Sequence, residues 1–103
     1  MLNSRSLKSL IGVHPKLELV VRRADELTEL EFIITEGVRT LERQKMLVAK
    51  GLSKTMRSRH LTGHAVDFAP LIEGEVTWKT PAFIPIMDAF KKAAIEYMQV
   101  PLL

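Results

Sequence analysis

The chain has 103 residues, enough for one small domain, and its 47% apolar and 26% charged content is that of a folded protein and not of a disordered tail. It contains no cysteine, which excludes disulfides and thiolate metal sites, so any metal must be held by His, Asp or Glu. The net charge is +3, the polar N-terminus lacks the apolar segment of a signal peptide, and no apolar run approaches the ~20 residues of a membrane span.

Pro15 suits a first helical position, and Leu17, Val20, Val21, Ala24 and Leu27 recur at helical spacing after it. They predict a helix over about residues 15–28, packed by one face, with His14 as a capping or surface residue just before it. Phe32, Ile33, Ile34 and Thr35 predict a short strand that Gly37 ends in a turn. Thr40 can cap a second helix over about 41–50, with Leu41, Met46, Leu47 and Val48 as its apolar positions and Gly51 as its stop. Residues 52–62 are polar and aperiodic and predict a loop. Lys50, Lys54, Arg57 and Arg59 lie in or beside it with no acidic residue among them. Such a run is a solvated basic loop by default, or an attractor for an anionic polymer, either nucleic acid or bacterial cell wall.

Residues 65–69 alternate weakly and predict a strand ended by Pro70. Residues 71–78 predict a hairpin or bulged loop around Gly74. Thr80 and Pro81 then read as an N-cap and first-position proline. The stripe Ile84, Met87, Phe90, Ala94 and Tyr97 predicts a third helix to about Met98, with Pro85 tolerated in its first turns. Trp78 and that stripe are expected in the core. Val100 begins what reads as another strand. The order of elements predicts a single α+β domain over 1–103, a small antiparallel sheet packed with about three helices.

The chemistry concentrates in Ser58-Arg59-His60-Leu61-Thr62-Gly63-His64-Ala65-Val66-Asp67. Imidazole nitrogen and carboxylate oxygen are ordinary zinc ligands. Gly63 lets the backbone turn, so His60 can swing to meet Asp67 at one ion. On a strand Ala65 and Asp67 share a face and His64 takes the other, which makes His64 a bystander. A helical His-x-x-x-His pair is the competing geometry, and Gly63 argues against it. The plain alternative is a polar loop whose groups hydrogen-bond one another.

The pattern Ser58-x-His60-x-x-Gly63-x-Ala65-x-Asp67 resembles the zinc-binding signature of the D-alanyl-D-alanine carboxypeptidase and phage endolysin family, which includes vancomycin-resistance D,D-peptidases. The likeness extends to Ile11-Gly12-Val13-His14-Pro15, to Thr35-Glu36-Gly37-Val38-Arg39-Thr40 with Arg43-Gln44, and in order through residues 53–70 and 78–94. The first two of these stretches look like the start, and the strand and helix start, of the phage L-alanyl-D-glutamate endopeptidases.

The resemblance implies a Hedgehog/D,D-peptidase-like fold and a bound Zn2+, with His60 and Asp67 as two of its three ligands. It implies that Arg39 binds or polarises the substrate carbonyl. Ser58 and Gln44 would support the substrate or the ligand shell. The implied partner is bacterial peptidoglycan, cleaved at an L-Ala–D-Glu or D-Ala-containing amide, with no nucleic acid and no membrane insertion. The protein would be cytoplasmic before lysis and act on the wall of a bacterial host. The family's third ligand, a histidine, and its general-base carboxylate follow the strand expected from Val100, and no histidine follows His64 here. His64, Glu73, Glu75 or a neighbouring chain would be poor substitutes. The expectation is therefore a C-terminally truncated member, either an active zinc peptidase or an inactive remnant that binds cell wall. A basic nucleic-acid module rests on charge alone.

Overall fold

The computed structural model describes residues 2–98. Its elements run α1 (Ser4–Ser9), α2 (Pro15–Leu27), β1 (Phe32–Glu36), α3 (Leu41–Ala49), a 3-10 turn (Arg59–Thr62), β2 (Asp67–Ile72), β3 (Glu75–Val76) and α4 (Thr80–Met98). The α+β expectation holds, with four helices around a three-stranded antiparallel sheet of order β1-β2-β3. The strand expected from Val100 lies outside the described residues. No helix among the described residues is long and apolar enough to cross a membrane.

Local signals set α2 and α3 as expected. His14 caps α2, its Nδ1 accepting from Lys16 N–H at 3.1 Å, and Pro15 follows at the first position. The helix buries Val20, Val21 and Ala24 against α4, and Arg23 reaches across to Glu96 at 2.6 Å. Thr40 caps α3 by accepting from Arg43 N–H. The face of α3 differs from expectation, because its buried residue is Gln44, while Leu41 and Met46 are exposed. The short α1 was not foreseen, since six residues with scattered polarity offer no period to read. Asn3 caps it, and its buried Ser6 hydroxyl accepts from Ile34 N–H at 2.9 Å, so α1 is tied to β1 by a polar contact.

In the sheet, Phe32, Ile33 and Ile34 pair with Pro70, Ala69 and Phe68, and the register then slips so that Glu36 stands opposite Asp67. Thr35 is the extra residue of this bulge. The bulge brings two carboxylates face to face at one end of the β1–β2 ladder. Pro70 does not end β2 as expected. Leu71 N–H donates to Glu31 O and the Pro70 carbonyl accepts from Thr77 N–H, so the proline nitrogen faces the short β3 side, where no ladder bond to β1 is lost. Residues 64–66 lie before the strand, so the shared facing of Ala65 and Asp67 does not arise from strand alternation. Glu73 and Gly74, at φ 53° and 81°, form the tight turn of the expected hairpin.

The core joins Leu10, Val13, Val21, Ala24, Phe32, Ile34, Ile86, Ala89 and Ala93. On α4 the buried stripe is Ile86, Ala89 and Ala93, with Phe90 and Ala94 half-buried. Ile84, Met87 and Tyr97 of the expected stripe are exposed. This helix is apolar on most sides, so periodicity alone did not choose between two neighbouring stripes, and the small alanines give α2 its close approach. Trp78, expected in the core, is 71% exposed.

Candidate metal centre

The loop carrying the motif is stitched to two distant segments. Arg39 N–H donates to the His60 carbonyl at 2.8 Å, and His14 N–H donates to the Gly63 carbonyl at 2.8 Å. Ser58 Oγ caps the 3-10 turn by accepting from His60 N–H at 3.2 Å. Gly63 ends that turn in the left-handed region at φ 78°, and a Cβ there would sit 2.6 Å from the Gly12 carbonyl oxygen. Glycine is thus demanded twice, by conformation and by the closeness of the α1–α2 connection.

These constraints aim His60. Its ring is buried, and Nδ1 lies 2.8 Å from the Gly37 carbonyl. A carbonyl only accepts, so Nδ1 carries the proton and, in the neutral ring, Nε2 presents a lone pair. That Nε2 stands 3.3 Å from Asp67 Oδ1. Two acceptors face each other across a gap that a cation or a proton must bridge. A carboxylate oxygen of Glu36 lies beside them, with one ligand atom from each of the three residues within 4.8 Å of the others. Imidazole nitrogen with carboxylate oxygen is a donor set that zinc accepts.

Glu36 was not singled out from the sequence, although it lies in the matched stretch before Gly37. Its role depends on the bulge, which no local pattern announces. Arg39 donates to Glu36 Oε1, through Nε at 2.8 Å and through Nη2 as well, and Arg43 Nε donates to Oε2 at 2.6 Å. Burial pushes the Glu36 carboxyl up, but the hydrogen bonds and charges of Arg39 and Arg43 outweigh this and hold it below its ordinary value. A carboxylate with a depressed folded pKa contributes stability that is present above its unfolded value and lost as pH falls through the folded one. The metal-free protein should therefore lose Tm as pH falls below about 4.3, and Glu36→Gln should flatten that dependence in thermal melts across the acid range.

Arg39 sits almost buried between Glu36, Gln44 and the motif. Its Nη1 donates to Gln44 Oε1 at 2.8 Å and approaches Ser58 Oγ at 3.5 Å, while Nη2 lies 3.7 Å from Asp67 Oδ2. Gln44 is fully buried and donates in turn to Ser53 Oγ at 2.9 Å and to the Thr55 carbonyl. All five residues singled out from the sequence, Arg39, Gln44, Ser58, His60 and Asp67, thus belong to one connected network. His64 stands apart from it. Its ring is exposed, with Nδ1 2.7 Å from Thr62 Oγ1, and lies against the His14 ring at 4.8 Å between centroids. Among the described residues, neither His64, Glu73 nor Glu75 joins the ligand group. Asp67 keeps a half-exposed side chain and lines an open cavity of about 370 Å³ with Thr35, Val66, Phe68 and Trp78.

The family profile described as phage L-alanyl-D-glutamate peptidase matches residues 1–102. The chain is 40% identical over 95 residues to the L-alanyl-D-glutamate peptidase of Escherichia phage T5, covering 88% of this chain and 69% of that protein. It is 36% identical over 78 residues to the L-alanyl-D-glutamate peptidase of Listeria phage A118, covering 73% of this chain and 28% of that protein. The crystal structure of the Serratia marcescens L-Ala D-Glu endopeptidase ChiX superposes with a TM-score of 0.90 at 40% identity, over 95% of this chain and 74% of that one. With a profile match along nearly its whole length and close likeness in sequence and fold, this chain belongs to the phage L-alanyl-D-glutamate peptidase family.

Proposed function

We propose that this protein is a zinc-dependent peptidoglycan peptidase of endolysin type, cleaving the L-Ala–D-Glu amide of the stem peptide in a bacterial host's wall. The observation that carries the metal reading is the His60 Nε2 lone pair held 3.3 Å from Asp67 Oδ1. Family membership and the names of the relatives support the bond. His60 and Asp67 would hold the ion, which when bound supplies Lewis-acid polarisation and acidifies water. The Gly37 carbonyl keeps His60 in the tautomer that binds metal. Arg39 places a fixed cation 3.7 Å from Asp67 Oδ2, where negative charge developing on a substrate carbonyl oxygen is stabilised. Gln44 and Ser58 act through Arg39 and His60, holding guanidinium and imidazole in place.

A second reading, binding to cell wall without cleavage, draws on one observation. Glu36, the third donor of the group, already has both oxygens committed to Arg39 and Arg43. It is a poor completing ligand, and a catalytic zinc site uses three protein ligands and one open position. A zinc titration run with a turbidity assay on purified peptidoglycan separates the readings. Zinc-stimulated clearing that His60→Ala abolishes supports cleavage. Sedimentation with the wall, without clearing at any zinc level, supports the second reading.

A further inference from the structure

The reaction does not account for Trp78. It is the one tryptophan of the chain, and it leaves 71% of its surface to water a short way from the candidate ligand Asp67. A lone exposed aromatic is ordinary by itself. What distinguishes Trp78 is how it is held and what it faces. Its segment, between β3 and α4, is pinned by Thr77 N–H donating to the Pro70 carbonyl at 3.0 Å and by Lys79 N–H donating to Thr77 Oγ1 at 3.3 Å. One indole face stacks on Phe83 at 6.4 Å and 27°, and Phe83 packs on Phe68, which stacks on Phe90 in the core. The ring is therefore braced from behind by a file of aromatics and open in front. The cavity of about 370 Å³ that it walls has Asp67 as its charged lining and Thr35, Val66 and Phe68 as the rest.

We infer that Trp78 is a substrate-binding residue, the apolar wall against which the small alkyl side chain and amide plane flanking the scissile bond pack. This rests on the proposed function. An occupant of the cavity lies beside Asp67, so it is the residue next to the cleaved amide and not the glycan strand. An indole suits the task, since it offers a large rigid face at low entropic cost and tolerates both methyl groups and amide planes.

Because Trp78 is the sole tryptophan, its emission reports on this cavity alone. The zinc-loaded chain is titrated with an uncleavable N-acylated L-alanyl-D-glutamyl analogue, its scissile amide replaced by a reduced CH2–NH bond, followed in parallel by calorimetry and by tryptophan fluorescence. The inference predicts a saturable emission change with the same midpoint as the heat. It predicts ~tenfold weaker binding for Trp78→Ala and a loss within ~threefold for Trp78→Phe, which keeps an aromatic wall. Zinc affinity should be the same in both variants. Circular dichroism checks that each is folded, and Trp78→Gln, which keeps bulk without an aromatic face and carries the same ~tenfold prediction, serves if Trp78→Ala is not. Binding heat with unchanged emission, or equal affinity in folded Trp78→Ala, overturns the inference and leaves the proposed function standing. No binding by the wild-type chain overturns the proposed function, and the inference with it.

Discussion

His60→Ala is expected to lower zinc affinity by ~100-fold or more, measured by competition with a chelator at fixed pH. The substitution removes the nitrogen donor of the group and leaves Asp67 and Glu36, of which Glu36 is held by two guanidinium groups. It also strips the Gly37 carbonyl of its buried partner, for about 1–3 kcal/mol of fold stability. Fold and metal effects are separated by Asp67→Asn. Its side chain is half-exposed and keeps its shape, so it should weaken zinc strongly while shifting Tm little. His64→Ala, remote from the group, should leave zinc affinity unchanged. Wild-type-like zinc affinity in His60→Ala would contradict the assignment.

Glu36→Ala is expected to destabilise the metal-free protein by about 2–4 kcal/mol, read from urea midpoints at neutral pH. The carboxylate accepts from two arginines, and one of them, Arg39, has a side chain only 11% exposed. Removing the acceptor leaves that guanidinium with Gln44, Ser58 and a longer ion pair to Asp67, and a buried charge stripped of its closest partner is costly. The double variant Glu36→Ala with Arg39→Met should lose less than the two single losses added together, because both break the same network. A loss under about 0.5 kcal/mol would mark the pair as an ordinary surface ion pair. The same network keeps Arg39 beside Asp67, so Glu36→Ala should also slow any zinc-stimulated clearing of peptidoglycan.

What could be read beforehand followed the range of the forces involved. The caps His14 and Thr40, the helix after Pro15 and the strand from Phe32 are set by neighbours a few residues away, and each appears where expected. The pairing of His60 with Asp67 was legible because the motif fixes a short loop between them and Gly63 permits its turn. Glu36 was missed because it reaches Asp67 only through a bulge, a property of two strands together. Gln44 stands out only through the family resemblance, because its burial comes from Arg39, Ser53 and Thr55, brought in by other segments. Trp78 was misplaced because hydrophobicity says that a side chain gains from contact and not which contact it finds. Here that contact is one face of Phe83. Pro70 was read as a strand end, and only the short partner strand β3 explains why it is tolerated inside β2.

The three histidines allow metal binding by His60 to be tested at single nitrogens. Side-chain nitrogen NMR of the chain, recorded with and without one equivalent of zinc, distinguishes Nδ1 from Nε2 in each ring. His60 Nε2 is expected to take the metal shift while His60 Nδ1 stays protonated against the Gly37 carbonyl, and His14 and His64 are expected to stay unmoved. Zinc shifts on His14 and His64 with His60 unchanged would contradict it, and would move the metal from the motif to the surface.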